Sequence, residues 1–284
     1  QAPTVQKLAA EMRRATQRDE WSSLAPLQRS GTKPPLFLVH TTPGDVLGYG
    51  NLIHHLGADQ PCYGFQALGL KNGAKPHASI ESMAAHYVRL LKKFQPRGPY
   101  YLGGWCFGGI VAVEMAQQLQ EAGDEVAALL LMETISVSPG ARCWRYHFER
   151  FKCLFSMSPR RWLEYLRSKA MYRKQVEMDN RMRFRQAGEN VDAAQRKWLA
   201  QLEQVYNANL AALDTYRSRY YRGKVTLFNA IERDPGILPD PNYGWRGLAD
   251  EIEIYEVAGN HDTMLAEPNV SSLAAALRKA LSRS

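Results

Sequence analysis

A cysteine surrounded by glycines is the position in this sequence best suited to chemistry. Cys106 is the central residue of the pattern Gly-Trp-Cys-Phe-Gly, residues 104–108, between a predicted strand and a predicted helix. In this context the central side chain projects above a sheet at a helix N-terminus, where a thiolate or an oxyanion is stabilised. The pattern predicts a nucleophile elbow with Cys106 as the nucleophile. The alternative interpretation is a buried cysteine in a glycine-rich turn.

Such a nucleophile needs a base, and His261 is the best placed of the seven histidines. It lies between the last predicted strand and the last predicted helix, which agrees with the chain order nucleophile, acid, histidine. His40 also ends a strand, but it precedes Cys106 and is interpreted as a hydrogen-bonded strand-end histidine. The others lie in helical patterns, a loop or a helical insertion: His54, His55, His77, His86 and His147.

The acid that would orient this histidine has two possible positions in the chain. Glu133 ends the apolar strand after the nucleophile, whereas Glu232 and Asp234 follow a later strand. We favour Glu133, because a carboxylate at the end of a buried strand loses hydration free energy unless it has a partner. Its predicted role is to accept the Nδ1 proton of His261 and so hold the ring in one tautomer.

Backbone N–H groups near Cys106 are candidates for an oxyanion hole. One donor is predicted to be the N–H of Phe107, directly after the nucleophile. The second should come from the loop after the first strand, where Pro43 has no N–H. We favour Thr42 for this role and place Gly44 second.

The elements that must position these residues alternate along the chain between apolar strands and amphipathic helices. The apolar run 126–132 is typical of an interior parallel strand. The alternation indicates an α/β fold, with a mostly parallel sheet covered by helices on both faces. The predicted strands are 36–40, 62–67, 100–105, 126–132, 224–231 and 252–257, and the predicted helices are 49–56, 80–94, 109–122 and 269–281.

Residues 141–223 interrupt this alternation and are predicted to form a helical insertion, since apolar residues recur there at helical spacing. The insertion holds 18 Lys and Arg against 8 Asp and Glu, whereas the rest of the chain holds 18 against 20, so the whole net charge of +8 arises in this segment. It lacks the motifs of nucleic-acid-binding domains. A basic face for an acidic protein or a phosphate is one interpretation, and a merely solvated helical face is the other.

The composition argues against several other classes of protein. The longest apolar run, 126–132, is too short to span a bilayer, and residues 1–20 lack the apolar region of a secretory signal. The four cysteines have no metal-ligand spacing. We therefore expect a cytoplasmic protein with reduced cysteines that binds no metal, nucleic acid or membrane.

Taken together, these motifs resemble the C-terminal, type I thioesterase domains of nonribosomal peptide and polyketide synthases. The resemblance runs from about Ser23 to the C-terminus through LFLVH, GGWCFGG, LLLMET, KVTLF and AGNHDTMLAEP. It implies an α/β-hydrolase core over 36–140 and 224–284, with 141–223 as a helical lid. In that family the acid follows the strand after the nucleophile, which supports Glu133 over Asp234.

The N-terminal residues carry a second resemblance. Residues 3–12 are similar to the last helix of a carrier domain, so 1–20 is interpreted as a carrier remnant and 21–35 as a linker. The implied partner is an upstream acyl or peptidyl carrier domain. Its 4'-phosphopantetheine would deliver the substrate, and the chain itself would bind no cofactor. The basic insertion would dock the carrier, with Arg181, Arg183 and Arg185 as the residues to test.

Two residues depart from the family's usual pattern: Cys106 stands for serine and Glu133 for aspartate. Some members with cysteine form β-lactone or β-lactam rings, so release by strained cyclisation is the resemblance-based expectation, beside plain hydrolysis. The sequence leaves open whether Cys106 is native or an introduced replacement for serine. The alternative functions are a stand-alone editing thioesterase, another cysteine α/β-hydrolase such as a lactone hydrolase, and a non-catalytic docking domain.

Overall fold

The computed structural model describes residues 23–71, 74–137, 193–233 and 240–283 of the chain. These residues form a seven-stranded sheet in the order β1-β3-β2-β4-β5-β6-β7. Strand β1 is antiparallel to β3, and all other neighbouring strands are parallel. The strands are β1 Leu24–Gln28, β2 Leu36–Val39, β3 Cys62–Phe65, β4 Tyr100–Trp105, β5 Val126–Met132, β6 Tyr221–Ala230 and β7 Ala249–Val257.

Helices cover both faces of this sheet, as the alternation predicted. Alternate residues of β5 show the two layers: Leu129 and Leu131 belong to one apolar cluster, and Leu130 and Met132 to the other. This period of two is that of a strand buried on both faces. The helices are α1 Gly50–Leu56, α2 Ile80–Phe94, α3 Phe107–Glu121, α4 Ala193–Thr215 and α5 Val270–Leu281.

Helices α2 and α3 pack together on one face, and α1 and α5 pack together on the other. Ser79 is the N-cap of α2, and its side chain accepts a hydrogen bond from the N–H of Ser82. Helix α3 follows β4 directly and is buried over most of its length. It therefore holds the turn at Cys106 against the sheet.

Strand β1 was not predicted. Its sequence, LAPLQ, lies in the predicted linker 21–35, but it pairs with β3 at the sheet edge. Strand β6 begins at Tyr221, three residues before the expected position 224. In both places pairing with a neighbouring strand extends the sheet beyond what the local apolar pattern indicates.

The described part of the predicted insertion, residues 193–223, consists mainly of helix α4 and ends in the first residues of β6. Val205 is fully buried on α4 and packs with Ala67 and Leu70, while Trp198 and Leu202 are partly buried against the same cluster. The carrier remnant predicted over 1–20 and residues 141–192, including Arg181, Arg183 and Arg185, lie outside the described residues. The predicted boundaries of core, linker and lid stay predictions.

Candidate active site

Cys106 lies on the tight turn between β4 and α3. Its φ angle of 53° is in the left-handed region, which is strained for a residue with a side chain. Its backbone N–H donates to the carbonyl of Met132 at 2.9 Å, and its side chain is partly exposed. The residue thus has the strained strand-to-helix placement that the elbow pattern predicted.

Two glycines of the pattern are required by close backbone approaches. A Cβ atom on Gly104 would lie 2.2 Å from the carbonyl carbon of Gly108. A Cβ atom on Gly108 would lie 2.4 Å from the carbonyl oxygen of Val39. Strand β2, strand β4 and helix α3 can therefore meet around Cys106 only because these positions lack side chains.

Tyr49 joins β2 and β4 beside the elbow, a role that the sequence analysis missed. Its hydroxyl donates to the carbonyl of Val39 at 2.7 Å and accepts from the N–H of Trp105 at 2.8 Å. The phenol bridges two strands where their direct pairing ends at Val39 and Gly104. It fixes the residue before the nucleophile against the strand that leads to Thr42.

His261 lies between Cys106 and Glu133. Its Nδ1 atom is 3.5 Å from Oε2 of Glu133, and its ring interacts with the Cys106 side chain. The Trp105 ring is 5.1 Å from the His261 ring, centroid to centroid. The structure therefore brings the three predicted residues together in the order of a nucleophile, a base and an orienting acid.

The environment of His261 favours its protonated form. Burial lowers the pKa of the imidazole, but hydrogen bonds to Cys106 and Glu133 and their negative charge outweigh burial and raise the pKa to about 11. The imidazolium is thus the form expected at neutral pH. A cation at this point is suited to stabilise a thiolate and to protonate a leaving group.

Glu133 is almost completely buried, and its two carboxylate oxygens have different partners. Oε1 accepts from the backbone N–H of Ala230 at 2.5 Å and from the hydroxyl of Tyr243 at 2.8 Å, which leaves Oε2 facing His261. The residue has a φ of 44°. The desolvation argument expected a partner for this carboxylate, but the sequence analysis did not identify Tyr243.

The other two candidate acids are placed differently. Glu232 is exposed, and its backbone N–H donates to the carbonyl of Gly259 at 3.0 Å. Asp234 lies outside the described residues. Among the described carboxylates, Glu133 is the one that the structure pairs with His261.

The predicted oxyanion-hole residues flank the elbow. Phe107 is the first residue of α3, where backbone N–H groups have no partner within the helix. The N–H of Gly44 already donates to the carbonyl of Thr41 at 2.9 Å, which favours Thr42 over Gly44 as the second donor. Asn209 of α4 donates from Nδ2 to the carbonyl oxygen of Thr42 at 2.8 Å and fixes this loop from the insertion side.

His40 has the structural role that was expected of it. Its ring is fully buried, with Nδ1 at 2.7 Å from the carbonyl oxygen of Thr41 and Nε2 at 2.8 Å from the hydroxyl of Tyr87. Burial lowers the pKa of His40 to about 4, so the ring is neutral. His40 packs against Phe107, the residue directly after Cys106, with ring centroids 5.7 Å apart.

Within the described ranges, no group of three or more His, Cys, Asp or Glu side chains could hold a metal ion. The same ranges contain no helix that is long and apolar enough to cross a bilayer.

Comparison with known proteins agrees with this geometry. Residues 34–141 match the family model of the thioesterase domain. The chain superposes on the NocB thioesterase domain, solved as a covalent complex with a fluorophosphonate nocardicin G analog, with a TM-score of 0.67 and 27% identity, covering 92% of this chain and 100% of that one. The chain has the α/β-hydrolase fold.

Other relatives are much longer than this chain. It is 42% identical over 135 residues to malpibaldin synthetase of Mortierella alpina and 40% identical over 133 residues to the dimodular nonribosomal peptide synthase of Bacillus subtilis. Each match covers 47% of this chain but only 2% and 6% of those relatives. A four-domain nonribosomal peptide synthetase bound to AMP and glycine has the same fold over 97% of this chain and 21% of its own, with a TM-score of 0.70 and 23% identity.

These matches bear out the resemblance to thioesterase domains of nonribosomal peptide synthetases. The α/β-hydrolase fold that the resemblance implied is confirmed.

Proposed function

We propose that this chain is a thioesterase that takes an acyl or peptidyl chain from the phosphopantetheine thioester of a carrier domain onto Cys106 and then releases it. The observation that carries the proposal is the contact of His261 with both the strained Cys106 and the buried Glu133. Nucleophilic catalysis needs this relation, in which a base touches the nucleophile and a third group orients the base. The match of residues 34–141 to the thioesterase domain supports the reaction class.

Acylation begins with Cys106 as a thiolate beside the imidazolium of His261. Sγ attacks the thioester carbonyl carbon, and the carbonyl oxygen becomes an oxyanion facing the N–H groups of Phe107 and Thr42. Each such donor contributes about 3 kcal/mol in serine hydrolases. The carbon–sulfur bond to the pantetheine then breaks, and the leaving thiolate takes the proton of His261.

Release uses the same groups in the reverse direction. Neutral His261 accepts a proton from water, or from a hydroxyl or amine of the acyl chain, as that group attacks the Cys106 thioester. The new bond forms at the acyl carbon, the bond to Sγ breaks, and the thiolate–imidazolium pair is restored. Glu133 stabilises the imidazolium through its contact with Nδ1.

The choice of cysteine favours a demanding release step. Transfer from the carrier exchanges one thioester for another, so the acyl group keeps its activation, whereas a serine would give a more stable oxyester. We propose release by ring closure, with a strained lactone or lactam as the candidate product. Hydrolysis is the competing outcome. A covalent complex of the related NocB thioesterase domain with a fluorophosphonate supports attack by a nucleophile in this fold.

A carrier domain is the proposed partner. The relatives are multidomain synthetases, and one match of known structure is a four-domain nonribosomal peptide synthetase. The excess of basic residues in 141–223 supports docking of an acidic carrier domain on that segment. In this proposal the pantetheine arm brings the substrate to Cys106, and the chain needs no cofactor of its own.

Turnover of a short acyl thioester tests the proposed function. We expect the parent protein to release free thiol, and Cys106→Ala to lower kcat/KM by at least about 10⁴-fold, because removal of a nucleophile leaves only binding and oxyanion stabilisation. Chromatography follows the thiol, and mass spectrometry separates a cyclic product from the free acid.

Cys62→Ala is the matched control for this experiment. Cys62 is a free cysteine on β3 that is completely buried, and burial raises the pKa of its thiol to about 12. We expect this variant to turn over at the parent rate. Turnover by Cys106→Ala at the parent rate would contradict the proposal. If the parent protein itself does not turn over the thioester, the result would favour a docking domain.

A further inference from the structure

Three residues other than glycine have a positive φ in the described part of the chain: Cys106 at 53°, Glu133 at 44° and Tyr243 at 47°. Backbone conformations of this kind cost free energy and cluster at functional sites. The first two are the proposed nucleophile and the proposed acid. The third has no role in the mechanism so far, although it shares their strain.

Tyr243 contacts the acid directly. The residue is 2% exposed, and its hydroxyl donates to Oε1 of Glu133 at 2.8 Å. The backbone N–H of Ala230 donates to the same oxygen at 2.5 Å. With Oε1 held by two donors, the carboxylate is fixed in the orientation that turns Oε2 towards Nδ1 of His261.

The strained backbone of Tyr243 is held from both sides. The Asp240 carboxylate accepts the N–H groups of Asn242 and Gly244 at 2.9 and 2.8 Å, and the Asp240 carbonyl accepts the N–H of Tyr243 at 3.1 Å. The carbonyl of Tyr243 in turn accepts the N–H of Ser136 at 2.9 Å. The turn is thereby fastened to the segment that follows Glu133.

A second tie runs between the same two segments. The indole Nε1 of Trp245, which is completely buried, donates to the carbonyl of Thr134 at 2.8 Å. The phenol of Tyr243 therefore reaches Glu133 from a turn that is itself bonded to the residues next to Glu133. These hydrogen bonds fix the position of the phenol relative to the Glu133 carboxylate.

We propose that Tyr243 is a positioning residue that holds the Glu133 carboxylate in the orientation required by His261. The proposal rests on the proposed function and extends it. A glutamate side chain has one more rotatable bond than an aspartate, and fixing it costs more conformational entropy. The Tyr243 hydroxyl supplies the additional contact by which a glutamate serves at this position.

The direct test is Tyr243→Phe alone and combined with Glu133→Gln. We expect Tyr243→Phe to lower kcat/KM for a short acyl thioester by about tenfold to a hundredfold, as for loss of a hydrogen bond to a charged group. In the Glu133→Gln protein the same change should cost less than about threefold, because the carboxylate through which Tyr243 acts is gone. An equal loss in both backgrounds would mean that Tyr243 has only a structural role.

Tyr216→Phe is the matched control. Tyr216 is also 2% exposed, and its hydroxyl donates to Oε2 of the buried Glu114 at 2.9 Å, a phenol–carboxylate pair that the mechanism does not use. We expect Tyr216→Phe to lower the melting temperature about as much as Tyr243→Phe and to leave kcat/KM at the parent value. An activity loss matching that of Tyr243→Phe would assign both effects to lost packing and overturn the proposal.

A second measurement works even if the protein proves inactive. In the Cys106→Ala protein, the hydrogen bond and the negative charge of Glu133 are the remaining causes of the raised pKa of His261. Relative to the Cys106→Ala protein, we expect the added change Tyr243→Phe to lower the pKa of His261, because the carboxylate is no longer held towards Nδ1. The added change Tyr216→Phe should leave that pKa unchanged. The titration is followed by nitrogen NMR of the imidazole ring.

The two measurements separate the two proposals. A parent protein that forms no acyl-enzyme would contradict the proposed function, while the NMR titration would still decide the role of Tyr243. An unchanged pKa of His261 in the Tyr243→Phe protein would overturn the positioning role whether or not the parent is active.

Discussion

The His261→Ala protein is expected to acylate about 10⁴-fold more slowly than the parent. The ring touches both Cys106 and Glu133, and in the mechanism it stabilises the thiolate and protonates the leaving thiol. Loss of a catalytic base alone lowers rates by 10²–10⁴-fold, and loss of a residue that acts in a unit with the nucleophile costs still more. The measurement is kcat/KM with a short acyl thioester.

His55→Ala is the control for this prediction. His55 lies on α1, where its Nε2 is 2.6 Å from an oxygen of the exposed Glu267, and surface pairs of this kind contribute little to stability. We expect this variant to keep the parent rate. If His261→Ala loses less than about tenfold, the base is another group and the assignment of His261 is wrong.

The Gly104→Ala protein is expected to lose both stability and activity. Its new Cβ would lie 2.2 Å from the carbonyl carbon of Gly108 and 2.5 Å from the N atom of Gly109, so the backbone of α3 must move. Overpacking of this kind lowers the free energy of unfolding by about 3 kcal/mol. The movement also displaces the Phe107 N–H and Cys106, and a displacement of 1 Å can lower a rate about a hundredfold.

Gly48→Ala separates the clash from the general effect of replacing glycine. A Cβ atom on Gly48 meets no atom within 4 Å, and we expect parent-like melting and turnover. Denaturant unfolding and kcat/KM are measured for both variants. A Gly104→Ala protein with the stability and rate of the parent would show that β4 and α3 do not meet as closely as the structure indicates.

Local patterns in the sequence were sufficient for the elements that position the site. The apolar run of β5 and the N-cap at Ser79 are local signals, and so is the glycine pattern around Cys106, although only Gly104 is required by a contact local in sequence, whereas Gly108 is required by the approach of Val39. The chain order nucleophile, acid, histidine then predicted that Glu133 and His261 act together. They lie close together because the carboxyl ends of parallel strands meet at one edge of the sheet.

Other features depend on contacts between distant parts of the chain. Tyr243 is 110 positions from Glu133, and Tyr49 is 56 positions from Trp105. A tyrosine that donates to a buried carboxylate looks like any other tyrosine in the sequence. Strand β1 contains a proline and has no apolar alternation, and it is a strand because the edge of β3 offers it a partner.

Intact-protein mass spectrometry after brief mixing with a short acyl thioester tests the central claim most directly. The account predicts that the parent gains the mass of one acyl group, and that Cys106→Ala, measured beside it, gains none. Decay of the adduct together with the appearance of product would show that the adduct is an intermediate. An equal mass gain in Cys106→Ala, or turnover of the parent without any adduct, would contradict acyl transfer through Cys106.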